Sequence, residues 1–125
     1  MADVTKRQVK RNELTKIAAV NAAATQTIVY DRSDENILVH VANVDAAAAT
    51  VTFVAAGFGA GTLGNITVAL AQNEEAVVVL ESSRFKAPAT QKVTVTVTDA
   101  DGTSFSGTIT NVKFRVFDLP KALVD

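Results

Sequence analysis

The sequence predicts an all-β domain: a single sandwich of about eight short strands, preceded by an extended N-terminal arm. Three observations carry that prediction. Apolar and polar residues alternate with period two in several segments, most plainly in Lys92–Thr98, KVTVTVT. Turn-forming clusters separate these segments at roughly ten-residue spacing. No segment carries the long helical periodicity that the crossovers of a parallel α/β sheet would need. The composition agrees, with 48% hydrophobic and 20% charged residues, six Phe, one Tyr and no Trp. The core must therefore be built largely from Val, Ile, Leu, Ala and Thr, a β-branched bias that suits strands.

Residues 5–20 place Val9, Leu14, Ile17 and Val20 too sparsely for a stable helix, so residues 1–24 are read as an arm that orders against a neighbour. The β-domain spans residues 25–120, and residues 121–125 form a short tail. Its first strand, residues 26–30, is closed by the polar cluster DRSDEN at 31–36. Residues 37–43 are apolar on both faces, as a strand near the middle of a sheet would be. The alanines of VDAAAA, residues 44–49, are too few for a helix of their own. Residues 50–55 alternate as a half-buried strand, followed by the glycine-rich stretch 57–64 and a strand at 66–70. Gln72, Asn73 and Glu74 turn the chain into an apolar strand at 76–80. Pro88 marks a break, and Lys92–Thr98 is the next strand. Asp99, Ala100, Asp101 and Gly102 carry hairpin-turn chemistry, with Gly102 free to adopt positive φ. Residues 105–110 are read as the returning partner strand, and residues 112–117, VKFRVF, as the last one. Pro120 ends the ladder. Such a strand count defines a β-sandwich of jelly-roll-like or immunoglobulin-like type.

Cysteine is absent, which excludes disulfides, thiolate metal sites and cysteine nucleophiles together. No apolar stretch approaches the roughly 18 residues of a membrane span, so no membrane role is expected. The N-terminus has the basic and apolar flavour of a secretory signal, but Asn21 and Glu13 interrupt it, and export is not expected. The formal net charge is −1 but unevenly spread. Residues 1–20 hold Lys6, Arg7, Lys10, Arg11 and Lys16 against Asp3 and Glu13, whereas residues 21–81 hold seven carboxylates against Arg32 alone. A basic arm suits an acidic partner surface. No aromatic residue is interleaved with its cations, so base stacking and nucleic-acid binding are not expected.

Several motifs suggest chemistry and lose it on inspection. Residues 59–64 spell GxGxxG, but a strand follows where a dinucleotide site needs a helix N-terminus. His40 is the only histidine and sits in a predicted strand without triad or metal partners. The Asp99–Asp101 pair begins like a calcium loop, yet Thr110 stands where the bidentate Glu of such a loop would be. Asn65, Ile66 and Thr67 fit a glycosylation sequon, which matters only in a eukaryotic secretory protein. The carboxylate pairs Asp34/Glu35 and Glu74/Glu75 fall in turns, and neighbouring strand residues point to opposite faces. No enzyme, cofactor or metal is expected.

The stretch ESSRFK, Glu81–Lys86, ends a greasy strand in a polar clasp. Continued as a strand, it would set Glu81, Ser83 and Phe85 on one face, with Phe85 plugging the sandwich and Arg84 and Lys86 directed outward as donors; Arg84 could also pair with Glu81 or a partner's carboxylate. Leu80–Lys86 (LESSRFK), the strand-rich segment DENILVHVANVDAAAATVTFVAAG and the closing FRVFDLP together resemble small tailed-bacteriophage head proteins of the decoration, or auxiliary capsid, class. The resemblance covers about residues 25–120, with residues 98–111 longer than the short turn expected there. It implies a structural virion protein on the capsid surface, made in the bacterial host cytoplasm. Its partner would be the major capsid protein, and it would form a homo-oligomer, a trimer favoured. Lys6, Arg7, Lys10, Arg11, Arg84 and Lys86 are the candidate partner-binding residues. Deleting residues 2–20 is expected to weaken attachment while leaving the β-domain folded. The alternatives are a head-fibre base, neck or tail-tube component, or a carbohydrate-binding, adhesin-like sandwich; the last would want exposed aromatic platforms, and Tyr30 is the lone tyrosine.

Overall fold

The computed structural model describes residues 2–10, 12–30, 37–56 and 63–119. Their backbone forms two five-stranded sheets packed face to face, an all-β sandwich. In chain order the strands are β1 (Ala2–Val4), β2 (Lys6–Gln8), β3 (Val20–Asn21), β4 (Thr25–Val29), β5 (Ile37–Asn43), β6 (Ala49–Phe53), β7 (Ile66–Leu70), β8 (Glu74–Val79), β9 (Lys92–Thr98) and β10 (Val112–Asp118). A single helical turn, α1 (Ser82–Phe85), follows β8, and a 3₁₀ turn, Ile109–Asn111, leads into β10. The first sheet has the order β1-β4-β9-β6-β7 and the second β2-β10-β5-β8, with β3 also pairing β10.

Period-two alternation decides the faces. In β9, Val93, Val95 and Val97 are buried, and in β10 so are Val112, Phe114 and Val116. The side chains between them, Thr94, Thr96, Lys113, Arg115 and Phe117, lie on the outer faces. β5 is central in its sheet, between β10 and β8, which is why it is largely apolar on both faces. Gln26 is the polar exception inside. Its Nε2 donates to the Val95 carbonyl at 2.6 Å and its Oε1 accepts the Ala23 amide at 2.9 Å, so burial leaves neither end unsatisfied.

Where an arm ordered against a neighbour is expected, the N-terminal segment pairs within its own chain. β1 runs parallel to β4 in the first sheet, and two residues later β2 runs parallel to β10 in the second. The chain thus crosses between the sheets and closes that side of the sandwich. Val4 is 4% exposed and belongs to the core. Asp3 fastens β1 from outside by accepting the Thr27 hydroxyl and an ion pair from Lys92 at 3.1 Å. Residues 13–19 form no regular structure before β3 pairs with β10, and Ala19 reaches the depression lined by Glu75, Lys113 and Arg115. Deleting residues 2–20 would strip pairing partners from both sheets, so the expectation of an intact β-domain after that deletion is withdrawn.

Two further expectations are corrected. Residues 105–110 do not return as a strand: β9 pairs β4 and β6, and only Thr98 and Ser104 meet, as an isolated bridge. Carboxylates take the donors that a ladder would have used. Asp99 accepts the Ser106 amide and hydroxyl, while Asp45 accepts the Thr108 amide and the Asn111 side chain at 3.0 Å each. Gly107 passes so close to Asp45 that a Cβ there would fall 2.1 Å from Oδ2. The stretch ESSRFK, in turn, is not a strand extension but the helical turn α1, so its side chains do not alternate between two sheet faces. Phe85 nevertheless plugs the core, at 1% exposure.

Candidate partner-binding surface

The sequence-predicted cations divide between two sides of the molecule. Lys6 is half-buried and Arg7 exposed on β2, and Lys10 is exposed just beyond it. Arg11 lies outside the described residues. Arg84 and Lys86, both half-buried, belong to the turn that follows β8, at the other edge of the second sheet. Arg84 is engaged within the chain. Its Nε donates to the Gly64 carbonyl at 2.9 Å, its Nη2 to the Leu63 carbonyl at 3.3 Å, and its guanidinium lies 5.0 Å from the centre of the Phe85 ring. This arrangement ties the approach to β7 to α1 and covers the plug from outside. The two groups of cations do not form one site.

The outer face of the second sheet gathers residues that the strand-by-strand reading did not combine. Strand register places them in three rows. Arg7, Phe117, Leu38 and Val79 form the first. Arg115, His40 and Val77 form the second, and Asn21, Lys113, Ala42 and Glu75 the third. Phe117 and Leu38 are half-buried, while Val77 and Val79 are 62% and 47% exposed. An apolar row is thereby bordered by Arg7, Arg115 and Lys113. Lys113 Nζ donates to Asn21 Oδ1 at 2.6 Å, and His40 Nε2 meets Glu75 Oε1 at 2.8 Å. With the proton on Nε2 the imidazole is a donor held in place by a carboxylate. At one end of the face a depression of ≈ 450 Å³ opens between Ala19, Val44, Asn73, Glu75, Lys113 and Arg115. The signal was present in the sequence: β5 is apolar on both faces, and β10 alternates Lys113, Arg115 and Phe117 outward. Only the register shows that these side chains are neighbours.

The outer face of the first sheet is different in kind. Thr25, Thr27, Thr94, Thr96, Thr98, Thr50, Thr52 and Thr67 cover it, and Thr52 and Thr67 hydrogen-bond across strands at 3.2 Å. Thr27 is the exception, buried with its hydroxyl donating to Asp3, and the remaining threonines give the face the character usual for a solvated sheet. Three aspartates are held below the usual carboxyl range. For Asp3 the main cause is the Thr27 hydroxyl, for Asp45 the Asn111 amide and for Asp101 the Thr103 hydroxyl. Asp101 holds its own turn, whereas Asp3 ties β1 to β4 and β9 and Asp45 ties its loop to the 108–111 segment. Among the described residues no three His, Asp or Glu side chains gather as a metal site, and no helix is long and apolar enough to cross a membrane.

No protein-family model, curated protein or solved structure matches this chain.

Proposed function

We propose that this chain is a structural virion protein, a capsid decoration protein of a tailed bacteriophage that seats on the outer surface of the major capsid lattice. The observation that carries the reading is the outer face of the second sheet, where the Phe117–Leu38–Val79 row is bordered by Arg7, Arg115 and Lys113. An apolar strip with a cationic border suits a broad, shallow contact with an acidic protein surface. A sandwich with a fully buried Val, Ile and Phe core presents that strip rigidly, so little order must be gained on binding. Modest contacts of this size gain strength when many copies bind one lattice. The resemblance through LESSRFK supports the same reading, since that motif forms the turn that seats Phe85. Arg7 and Lys10 stand on or beside the proposed contact face, while Lys6 and Arg11 remain candidates from their place in the sequence. Arg84 supports the fold near the opposite edge, and Lys86 remains a candidate from its place in the sequence.

The test is co-sedimentation of the purified chain with capsids assembled from the major capsid protein encoded in the same genome. Saturable binding at a fixed number of copies per capsomer is expected. Arg115→Glu combined with Lys113→Glu should abolish it while leaving the circular dichroism spectrum unchanged. Failure of the parent chain to sediment with the capsids overturns the proposal.

A further inference from the structure

β10 carries two cations on its outer face, Lys113 and Arg115, and the fold treats them differently. Lys113 Nζ is tied to Asn21 Oδ1 at 2.6 Å across the β3 edge. Arg115 stands where the β10 edge changes partner, between β3 at Lys113–Phe114 and β2 at Val116–Asp118. It is half-buried, and among the described residues its side chain has no hydrogen bond or ion pair. A guanidinium holds five N–H donors in a rigid fork, and a partly desolvated one gains most from an anion that fills the fork. Arg84, another half-buried arginine, meets that need with carbonyls of its own chain. Arg115 does not.

Arg115 lines the depression of ≈ 450 Å³ at one end of the face. In the row beside it, Lys113, Ala42 and Glu75 stand side by side on β10, β5 and β8. Ala42 puts only a methyl group between two long side chains, and this opens the floor. Ala19 and Val44 add an apolar rim. Glu75 is drawn towards His40, its Oε1 2.8 Å from Nε2, and makes no ion pair with either cation. The walls therefore set two cations against one carboxylate, and a single negative charge balances them. A second charge, as on phosphate, would be set against Glu75. A planar carboxylate fits a guanidinium through two parallel N–H···O bonds, and the Lys113 ammonium has N–H groups to spare beyond its bond to Asn21.

Resting on the capsid reading, we infer that the depression is a socket for one Asp or Glu side chain of the major capsid protein. Arg115 takes both carboxylate oxygens, Lys113 supports one of them, and the methylenes of the incoming side chain lie on Ala42 and Val44. The socket fixes where the capsid surface sits, whereas the Phe117–Leu38–Val79 row supplies area without register.

Two measurements separate the socket from the capsid. In the first, the isotopically labelled chain is titrated with N-acetylglutamate methylamide, which carries a single carboxylate, and with inorganic phosphate at equal ionic strength. Saturable shifts of the Arg115 Nε–H and Ala42 amide signals are expected at millimolar carboxylate, with a response to phosphate several-fold weaker. Ala42→Leu, which fills the floor at an outward-facing position without changing the charge, should abolish the response with an unchanged circular dichroism spectrum. The second measurement is co-sedimentation with capsids. Arg115→Gln should weaken attachment by about ten-fold or more, and Arg115→Lys, which keeps the charge and loses the fork, should recover only part of it. Excess N-acetylglutamate methylamide should displace the parent chain where sodium chloride of equal ionic strength does not. A parent chain that does not sediment overturns the capsid as the partner, and the titration alone then decides the socket. No saturable shift in the parent, an equal response to phosphate, a normal response from Ala42→Leu or full attachment by Arg115→Lys each overturns the proposal.

Discussion

Replacing Phe85 with alanine tests what holds the link between β8 and β9. A four-residue helical turn is far too short to be stable alone, so α1 must be fixed by what its side chains touch. The Phe85 ring is 1% exposed and sits in the core with Leu80 and Tyr30, while Arg84 caps it and reaches the Leu63 and Gly64 carbonyls. Emptying a fully buried Phe position costs about 3–5 kcal/mol, from lost burial and from the cavity left behind. Arg84→Ala removes one good and one long hydrogen bond from a half-buried group, together with its contact over the ring, for about 1–2 kcal/mol. The order of the two effects is the content of the prediction. In urea, with a slope near 1.5 kcal/mol/M, Phe85→Ala should lower the midpoint by roughly 2–3 M and Arg84→Ala by about 1 M. Far-UV circular dichroism reads both, and the β signal before denaturant should be that of the parent. Phe85→Leu provides an intermediate point at about 1–2 kcal/mol should the alanine variant prove too unstable to purify. If Arg84→Ala shifts the midpoint further than Phe85→Ala, the turn is held by its bonds to the carbonyls before β7, and the core-plug argument fails.

Three other outcomes follow from the same structure. Asp3, Asp45 and Asp101 titrate below 3.8 when folded, so the unfolded chain binds more protons on acidification. Their contribution is complete above about pH 5 and is lost as pH falls through 4 towards the folded values, and thermal melts across that range should show a midpoint that declines only at the acid end. Asp45→Asn should reduce that acid-end decline. Gly107→Ala forces a methyl group into the Asp45 carboxylate and the Phe105 ring and should destabilise by about 1–3 kcal/mol, read by urea denaturation; a neutral result would show that the 105–111 segment shifts freely. Val4→Ala should cost roughly 1–3 kcal/mol and speed amide exchange in β4 and β10 together, because one segment closes both edges. Exchange unchanged in either strand would contradict that closure.

What was legible in the sequence was local. Lys92–Thr98 and the VKFRVF segment show their alternation in five to seven residues, and each strand formed with the expected residues inside. The missed elements depend on contacts across long sequence separations. β1 and β2 are three residues each, too short for any period to show, and they exist because β4 and β10 offer open edges beside Val4. Residues 105–110 have the composition of a strand, but Asp45, some sixty residues upstream, accepts the Thr108 amide and the Asn111 side chain. The hairpin reading of Asp99–Gly102 was sound at the turn itself, where Gly102 has φ +84° and the Gly102 amide bonds the Asp99 carbonyl. A favourable turn therefore fixed the chain reversal without fixing what the returning segment would pair with.

The same separation explains the surfaces. Each cation was visible in the sequence, but whether it is available to a partner depends on which acceptors the fold sets beside it. Arg84 finds two backbone carbonyls and an aromatic ring within its own chain, and Arg7 finds the row of half-buried Phe117 and Leu38. Position along the chain could not rank them, because a guanidinium gains most where its neighbours are already desolvated and held in place. By that criterion the second sheet's outer face outranks the clasp as a contact for a large partner. On the proposed capsid reading, charge reversal at Arg115 and Lys113 should alter attachment, whereas Arg84→Ala should alter stability first. The two substitutions separate binding from folding in one pair of measurements, co-sedimentation and urea denaturation, and equal loss of attachment from a fully folded Arg84→Ala protein would reverse the ranking.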